Sequence, residues 1–159
     1  MAWLLPYVLY LHVMGAILAF GPTFAYSIIG GMGGKEPQHA NFGARLTARI
    51  GTALSYPLAI IQGVTGLALI LIGNFSLTTQ LWLGLGIVLY AIALTYALTI
   101  QRSTLHRIID LTSAPPPAGA PAGPPPELRA AITKVQRGGI FLGLMILVIV
   151  FLMVVKPGI

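Results

Sequence analysis

Residues 138–155 read GGIFLGLMILVIVFLMVV, eighteen consecutive positions without a charged or hydrogen-bonding side chain. At ~1.5 Å per residue a helix of that length crosses roughly 27 Å, close to the ~30 Å hydrocarbon core of a bilayer. Lipid offers no partner to an unpaired backbone group, so each N–H and C=O must be satisfied within the segment, which an α-helix does. Upstream, three further runs meet the same test: Trp3–Ile29, Gly51–Gly73 and Thr79–Ile100. None of the four alternates as the strands of a barrel would. The expected fold is all-α: a polytopic membrane protein whose single domain is a four-transmembrane-helix bundle.

Composition agrees. The chain has 159 residues, 57% hydrophobic and only 8% charged, against about a quarter charged in soluble domains. A water-facing surface cannot be assembled from it. Residues 1–20 lack a basic n-region, and their apolar run exceeds a signal-peptide h-region, so the first helix is expected to remain in the mature protein. Cysteine is absent, which excludes thiolate ligands, disulfides and cysteine nucleophiles.

Nine Lys and Arg give a net charge of +6. Lys35, Arg45 and Arg49 lie between runs one and two; Arg102, Arg107, Arg129, Lys134 and Arg137 lie between three and four. Only Lys156 falls at the other end. By the positive-inside rule both long loops face the cytoplasm, both termini lie outside, and the chain is a multi-pass protein of the inner (cytoplasmic) membrane. Trp3, Phe75 and Trp82 then gather at the outer interface as an aromatic belt.

The expected partner of this charge is an anionic inner leaflet rather than nucleic acid. Within 41–50, Arg45 and Arg49 stand one turn apart, with Phe42, Leu46 and Ile50 on another face. Residues 103–111 read as helix three continued past the membrane. Leu128, Ile132 and Val135 form an apolar stripe beside Arg129, Lys134 and Arg137. These segments are expected to lie on the leaflet with Arg45, Arg49, Arg129, Lys134 and Arg137 on lipid headgroups. Residues 113–126 hold seven of the twelve prolines and predict an extended polyproline-type linker.

The three carboxylates, Glu36, Asp110 and Glu127, all fall outside the apolar runs. That leaves no acidic relay at membrane depth, no carboxylate pair and no Ser-His-Asp set, so no catalytic residue is assigned. His12 is the one ionisable residue inside a span, and a functional hypothesis attaches to it for that reason. It is also where a metal would bind, with Met14 and Met153 as thioether candidates suited to haem iron or Cu(I). His39 and His106 lie near the opposite membrane face. The competing reading is a histidine hydrogen-bonded to a neighbouring helix.

Small residues mark close helix packing. Gly15 and Ala19 follow His12 on one face, Gln62 and Gly66 share a stripe on the second run, and Gly139 and Gly143 stand at GxxxG spacing on the fourth. Gln62 is expected to bond across the bundle, to Tyr90 or Thr95. Pro6, Pro22 and Pro57 are expected to bend helices one and two.

The opening Tyr10-Leu11-His12-Val13-Met14-Gly15-Ala16, with Gly21 after it, resembles the first helix of a family of predicted bacterial integral membrane proteins. That family is grouped with copper-resistance D-like proteins and HemJ-type protoporphyrinogen oxidases. The likeness runs through Arg45-Leu46, Arg49-Ile50 and Tyr56-Pro57 to Val154-Val155-Lys156-Pro157. It implies a four-helix layout and, at the position of His12, an association with haem b. HemJ-type proteins carry a lysine early in the third helix, where Leu81–Gly86 reads LWLGLG, so their oxidase activity is not carried over. Two functions follow as expectations: an accessory or structural subunit packing in a larger membrane complex or with itself, and, as the alternative, a small membrane protein holding haem, or secondly copper, near His12.

Overall fold

The computed structural model describes residues 2–77, 79–114 and 123–157, and among these it is helical without strands. A short 3-10 turn, Ala2–Leu4, leads into α1 (Leu5–Lys35). Then come α2 (Ala40–Ile50) and α3 (Tyr56–Gly73), joined by a π-helical turn at Gly51–Ser55. Next are α4 (Leu81–Tyr96) and α5 (Arg102–Leu111), joined by a second π turn at Ala97–Gln101. The last helix is α6 (Pro126–Val155). With each π turn counted into its rod, four helices are long and apolar enough to cross a membrane: Leu5–Lys35, Pro37–Gly73, Leu81–Leu111 and Pro126–Val155. Most of the proline-rich segment, residues 115–122, lies outside the described residues.

The rods outrun the apolar runs at one end of the bundle, which carries eight of the nine cations and is called here the basic end. Glycine makes the first turn-back possible. A Cβ on Gly33 would stand 3.4 Å from the Ala40 backbone, and one on Gly43 3.3 Å from Ile29. Hydrogen at both positions lets α1 and α2 close as an antiparallel hairpin. The expected prolines act differently from one another. Pro6 lies in the first turn of α1, where no helical bond is lost. Pro57 lies in the first turn of α3, directly after a π turn. Pro22 alone stands inside a helix.

Beyond the spans, the segments expected to lie flat on the leaflet instead continue the rods and pack on one another. Ala44, Leu105, Ile108 and Ala131 form a buried cluster, with Ala48, Ile109, Leu128, Ile132 and Val135 against it. On α2 the inward face is the small one, Ala44 and Ala48. The larger Phe42 and Leu46 face outward, Phe42 at 61% exposure. Alanine wins because close approach of three helices gains more contact than a bulky side chain that holds them apart. The Asn41 amide then donates to the Ile109 carbonyl (3.0 Å) and to Thr112 Oγ1 (2.9 Å), tying α2 to the end of α5. Arg107 pairs with Glu127 across the top of this cluster. That hydrogen bond pushes the Arg107 guanidinium further up from its usual range.

At the opposite, neutral end the aromatic belt is only half present. Trp3 is 71% exposed, whereas Trp82, at 5%, is buried with Leu83 and Leu152 as a plug between helices. Phe75 meets its ring edge-on at 6.5 Å between centroids, and Lys156 places its ammonium 5.6 Å from the same ring. Two left-handed residues, Asn74 and Lys156, end the helices there.

Midway, α6 meets α4 through Gly138. A Cβ there would collide with Gln101 Oε1 and stand 2.7 Å from the Tyr96 hydroxyl, while Gln101 Nε2 donates to the Val135 carbonyl at 3.0 Å. Replacing Gly138 with Leu should therefore cost about 2–3 kcal/mol through overpacking. Thermal or SDS-induced unfolding of the purified variant in mild detergent measures it.

Candidate functional site

The polar groups at membrane depth collect in the seam between α1 and α3. His12 Nε2 lies 2.9 Å from Gln62 Nε2, and its Nδ1 lies 3.0 Å from Thr65 Oγ1. The Gln62 amide donates to Nε2, which leaves Nδ1–H to donate to Thr65. Thr65 in turn donates back to its own helix, 3.1 Å from the carbonyls of Ile61 and Gln62. Turning the amide over would exchange donor and acceptor at the ring, but would bury two N–H donors against Gly15 in place of one carbonyl oxygen. Buried donors without partners are the rarer and costlier case, so the first arrangement holds.

Glycine on each helix receives the other's polar residue. A Cβ on Gly15 would stand 2.7 Å from Gln62 Oε1, and one on Gly66 3.1 Å from His12 Cε1. The knob of each helix thus fills a notch in the other, in an antiparallel register pairing 12 with 66 and 15 with 62. The same register brings Ala19 to the level of Ala59, both buried. Further along, Tyr26 and Ser55 bond at 3.0 Å. Gln62 reaches His12, not Tyr90 or Thr95. Tyr90 instead donates to the Ala59 carbonyl on the far face of α3, where Gly63 leaves room for its ring. Gln62 Oε1 is buried without a partner, its residue only 6% exposed, and rests against the Gly15 backbone.

Of the residues singled out in the sequence, His12, Gly15, Ala19, Gln62 and Gly66 therefore come together in one seam. The thioethers do not join them. Met153 lies against Gly86 of α4, where a Cβ would be 2.5 Å from its methyl carbon, and belongs to the plug around Trp82. Met14 stands two positions, or about 200° of helix, away from His12. The glycines on α6 are also redistributed: Gly138 makes the tight contact, Gly143 has only Phe24 at 3.9 Å, and Gly139 has nothing within 4 Å. Thr65 and Gly138 carry more of the packing than their sequence context signalled. Thr65 sits one helical turn from Ile61, which lets its hydroxyl serve its own backbone and the imidazole together.

Residues 6–157 match the profile of a family described as predicted integral membrane protein (DUF2269). The match covers nearly the whole chain, the histidine of α1 and the close of α6 included. The chain belongs to that family. No curated protein and no solved structure matches it. The likeness to copper-resistance D-like and HemJ-type proteins thus rests on the short motifs quoted above.

The seam itself does not fit haem or copper. Iron or copper on Nε2 would take the lone pair that Gln62 occupies, Nδ1 is held by Thr65, and the α3 backbone at Gly66 lies against the ring edge. Among the described residues no three His, Asp or Glu side chains gather as a metal site. What the arrangement does is lock two helices at one depth and one register. Inter-helix polar pairs in membranes contribute ~0.6 kcal/mol on average and at most ~1.7. A double-mutant cycle of His12→Ala with Gln62→Leu should return a coupling in that range. The absorption spectrum of the purified protein should be featureless above 300 nm; a Soret band lost in His12→Ala would overturn this account.

Proposed function

We propose that this chain is a non-catalytic accessory subunit that packs against other membrane chains in the inner membrane, with its basic end in the cytoplasm and both termini outside. The observation that carries the reading is Gly139. On α6, the most apolar of the four rods, it holds the position at which a close-packing glycine would meet a neighbour, yet a Cβ there would touch nothing. Gly143, Leu147, Val150 and Val154 follow within ~80° of the same face at 100° per residue, and the last three are exposed. A notch of glycine followed by a ridge of branched side chains is the shape a second membrane helix packs onto closely.

The interior supports the same reading. Its polar side chains mostly bond one another or backbone carbonyls, and the hydroxyl–imidazole pair of Thr65 and His12 is spent on joining α1 to α3. The eight-to-one distribution of cations supports the orientation.

Gly139→Leu separates this from a free-standing bundle. The substitution has room in the monomer, so unfolding in detergent should shift by less than about 0.5 kcal/mol, as for other unconstrained surface positions. Chains that co-purify with the wild type from native membranes, seen by native electrophoresis and mass spectrometry, should be lost. A wild type that purifies alone as a monomer, or an assembly indifferent to Gly139, would sink the proposal.

A further inference from the structure

At the basic end a groove of about 650 Å³ runs between the close of α4 and the first three turns of α6, lined by Tyr96, Pro126, Arg129, Thr133, Lys134 and Arg137. Its size lies within the ~300–1,000 Å³ of small-molecule sites. Three of the seven lining residues, which include Ala130, are cationic, and none of the three has an acidic partner among the described residues. Of the chain's three acids, Glu127 is taken by Arg107, Asp110 lies on α5 in the field of the same Arg107, and Glu36 pairs with His39 in the other hairpin. Arg129 to Arg137 spans ~12 Å at the helical rise, a row of charge and not a point.

What continues the row decides the ligand. Arg137 is the last charged residue before the uninterrupted apolar stretch of α6. Ile140 and Leu144, three and seven positions further, share its helix face and are 65% and 58% exposed. Tyr96 marks the same level on α4, its ring edge-on to Phe141 at 5.0 Å. Cations over an apolar lane, divided by an aromatic at the boundary, match the order of a phospholipid: headgroup, glycerol, acyl chain. A free anion would use the cations and leave the lane unused.

We propose that this groove holds one anionic phospholipid, its phosphate and headgroup among Arg129, Lys134 and Arg137 and an acyl chain along Ile140 and Leu144. The cations of the site stand on a different face of α6 from Gly139, the two faces meeting at Leu147, and the site does not depend on the subunit reading. The phosphate accepts from the two guanidinium groups and the ammonium, while the Thr133 hydroxyl donates to the Arg129 carbonyl at 3.0 Å. A zwitterionic lipid presents the same phosphate with a compensating ammonium and gains less from the row.

The test uses the full-length protein in detergent, titrated with phosphatidylglycerol or phosphatidylcholine and read by native mass spectrometry of the retained lipid. Phosphatidylglycerol should be retained preferentially. At about fivefold per cation near a membrane surface, the triple substitution Arg129→Gln, Lys134→Gln, Arg137→Gln should weaken it by roughly a hundredfold. The charge-conserving Arg129→Lys, Lys134→Arg, Arg137→Lys should keep most of the binding. Removing like charges elsewhere at this end, by Lys35→Gln with Arg102→Gln, should change it less than about twofold. Equal losses in both charge-removing variants would show diffuse attraction and overturn the site. So would equal retention of the two lipids, or displacement by millimolar inorganic phosphate. If the triple variant fails to fold, the single substitution Lys134→Gln decides: a loss of about fivefold supports the groove, and a change below about twofold overturns it.

Discussion

Hydrocarbon gives a polar side chain no partner, and the pairing of α1 with α3 is organised around that constraint. His12 and Gln62 each lie at membrane depth, and each would be costly if left unpaired. Their bond is possible only because Gly15 and Gly66 remove the two β-carbons that would hold the helices apart. The polar pair and the glycine pair are therefore one device. Depth and register follow from it: with 12 against 66 and 15 against 62, Ala19 and Ala59 can meet, and Tyr26 reaches Ser55. The buried Gln62 oxygen shows how tightly the device is drawn, since a β-carbon on Gly15 would stand 2.7 Å from it.

The other seams solve the same problem with different parts. Between α4 and α6 the notch is Gly138 and the filling groups are Gln101 and Tyr96. Between α3 and α4 a larger gap is spanned by Tyr90, whose hydroxyl finds the Ala59 carbonyl beside Gly63. At the neutral end bulk replaces close approach, with Trp82 and Phe75 filling what glycine would otherwise narrow. At the basic end water is available, so alanine contacts and the Asn41 clamp suffice.

This division explains what could be read from the chain alone. Long apolar runs announce themselves because the bilayer fixes their length, and a histidine followed by Gly15 and Ala19 correctly pointed to the bundle interior. Partners were harder. Gln62 faces both α1 and α4 within a fraction of a turn, and only the crossing of the helices decides between His12 and Tyr90. The choice of Gly138 over Gly139 turns on 100° of rotation, which no spacing rule supplies. Phe42 and Leu46 stand out in hydropathy yet face outward, since beside a membrane a large apolar side chain can do so at little cost. Ala44 and Ala48, nearly silent in hydropathy, define the face that packs.

One helix then carries most of what the molecule offers to its surroundings. Around α6, Gly138 faces α4 and closes the bundle, Gly139 opens a notch with branched residues beyond it, and Arg137 leads from cations to Ile140 and Leu144. These three faces are separated by single steps in sequence, 137, 138 and 139, because each residue turns the helix by ~100°. The arrangement constrains change more than composition does: substituting Gly138 disturbs the fold, Gly139 the approach of a neighbouring helix, and Arg137 the attraction of a phosphate, though all three lie at the same depth. An apolar run that looks uniform in the sequence is thus differentiated only at its polar edge, where a turn of helix brings fold, lipid and neighbour within reach of consecutive residues.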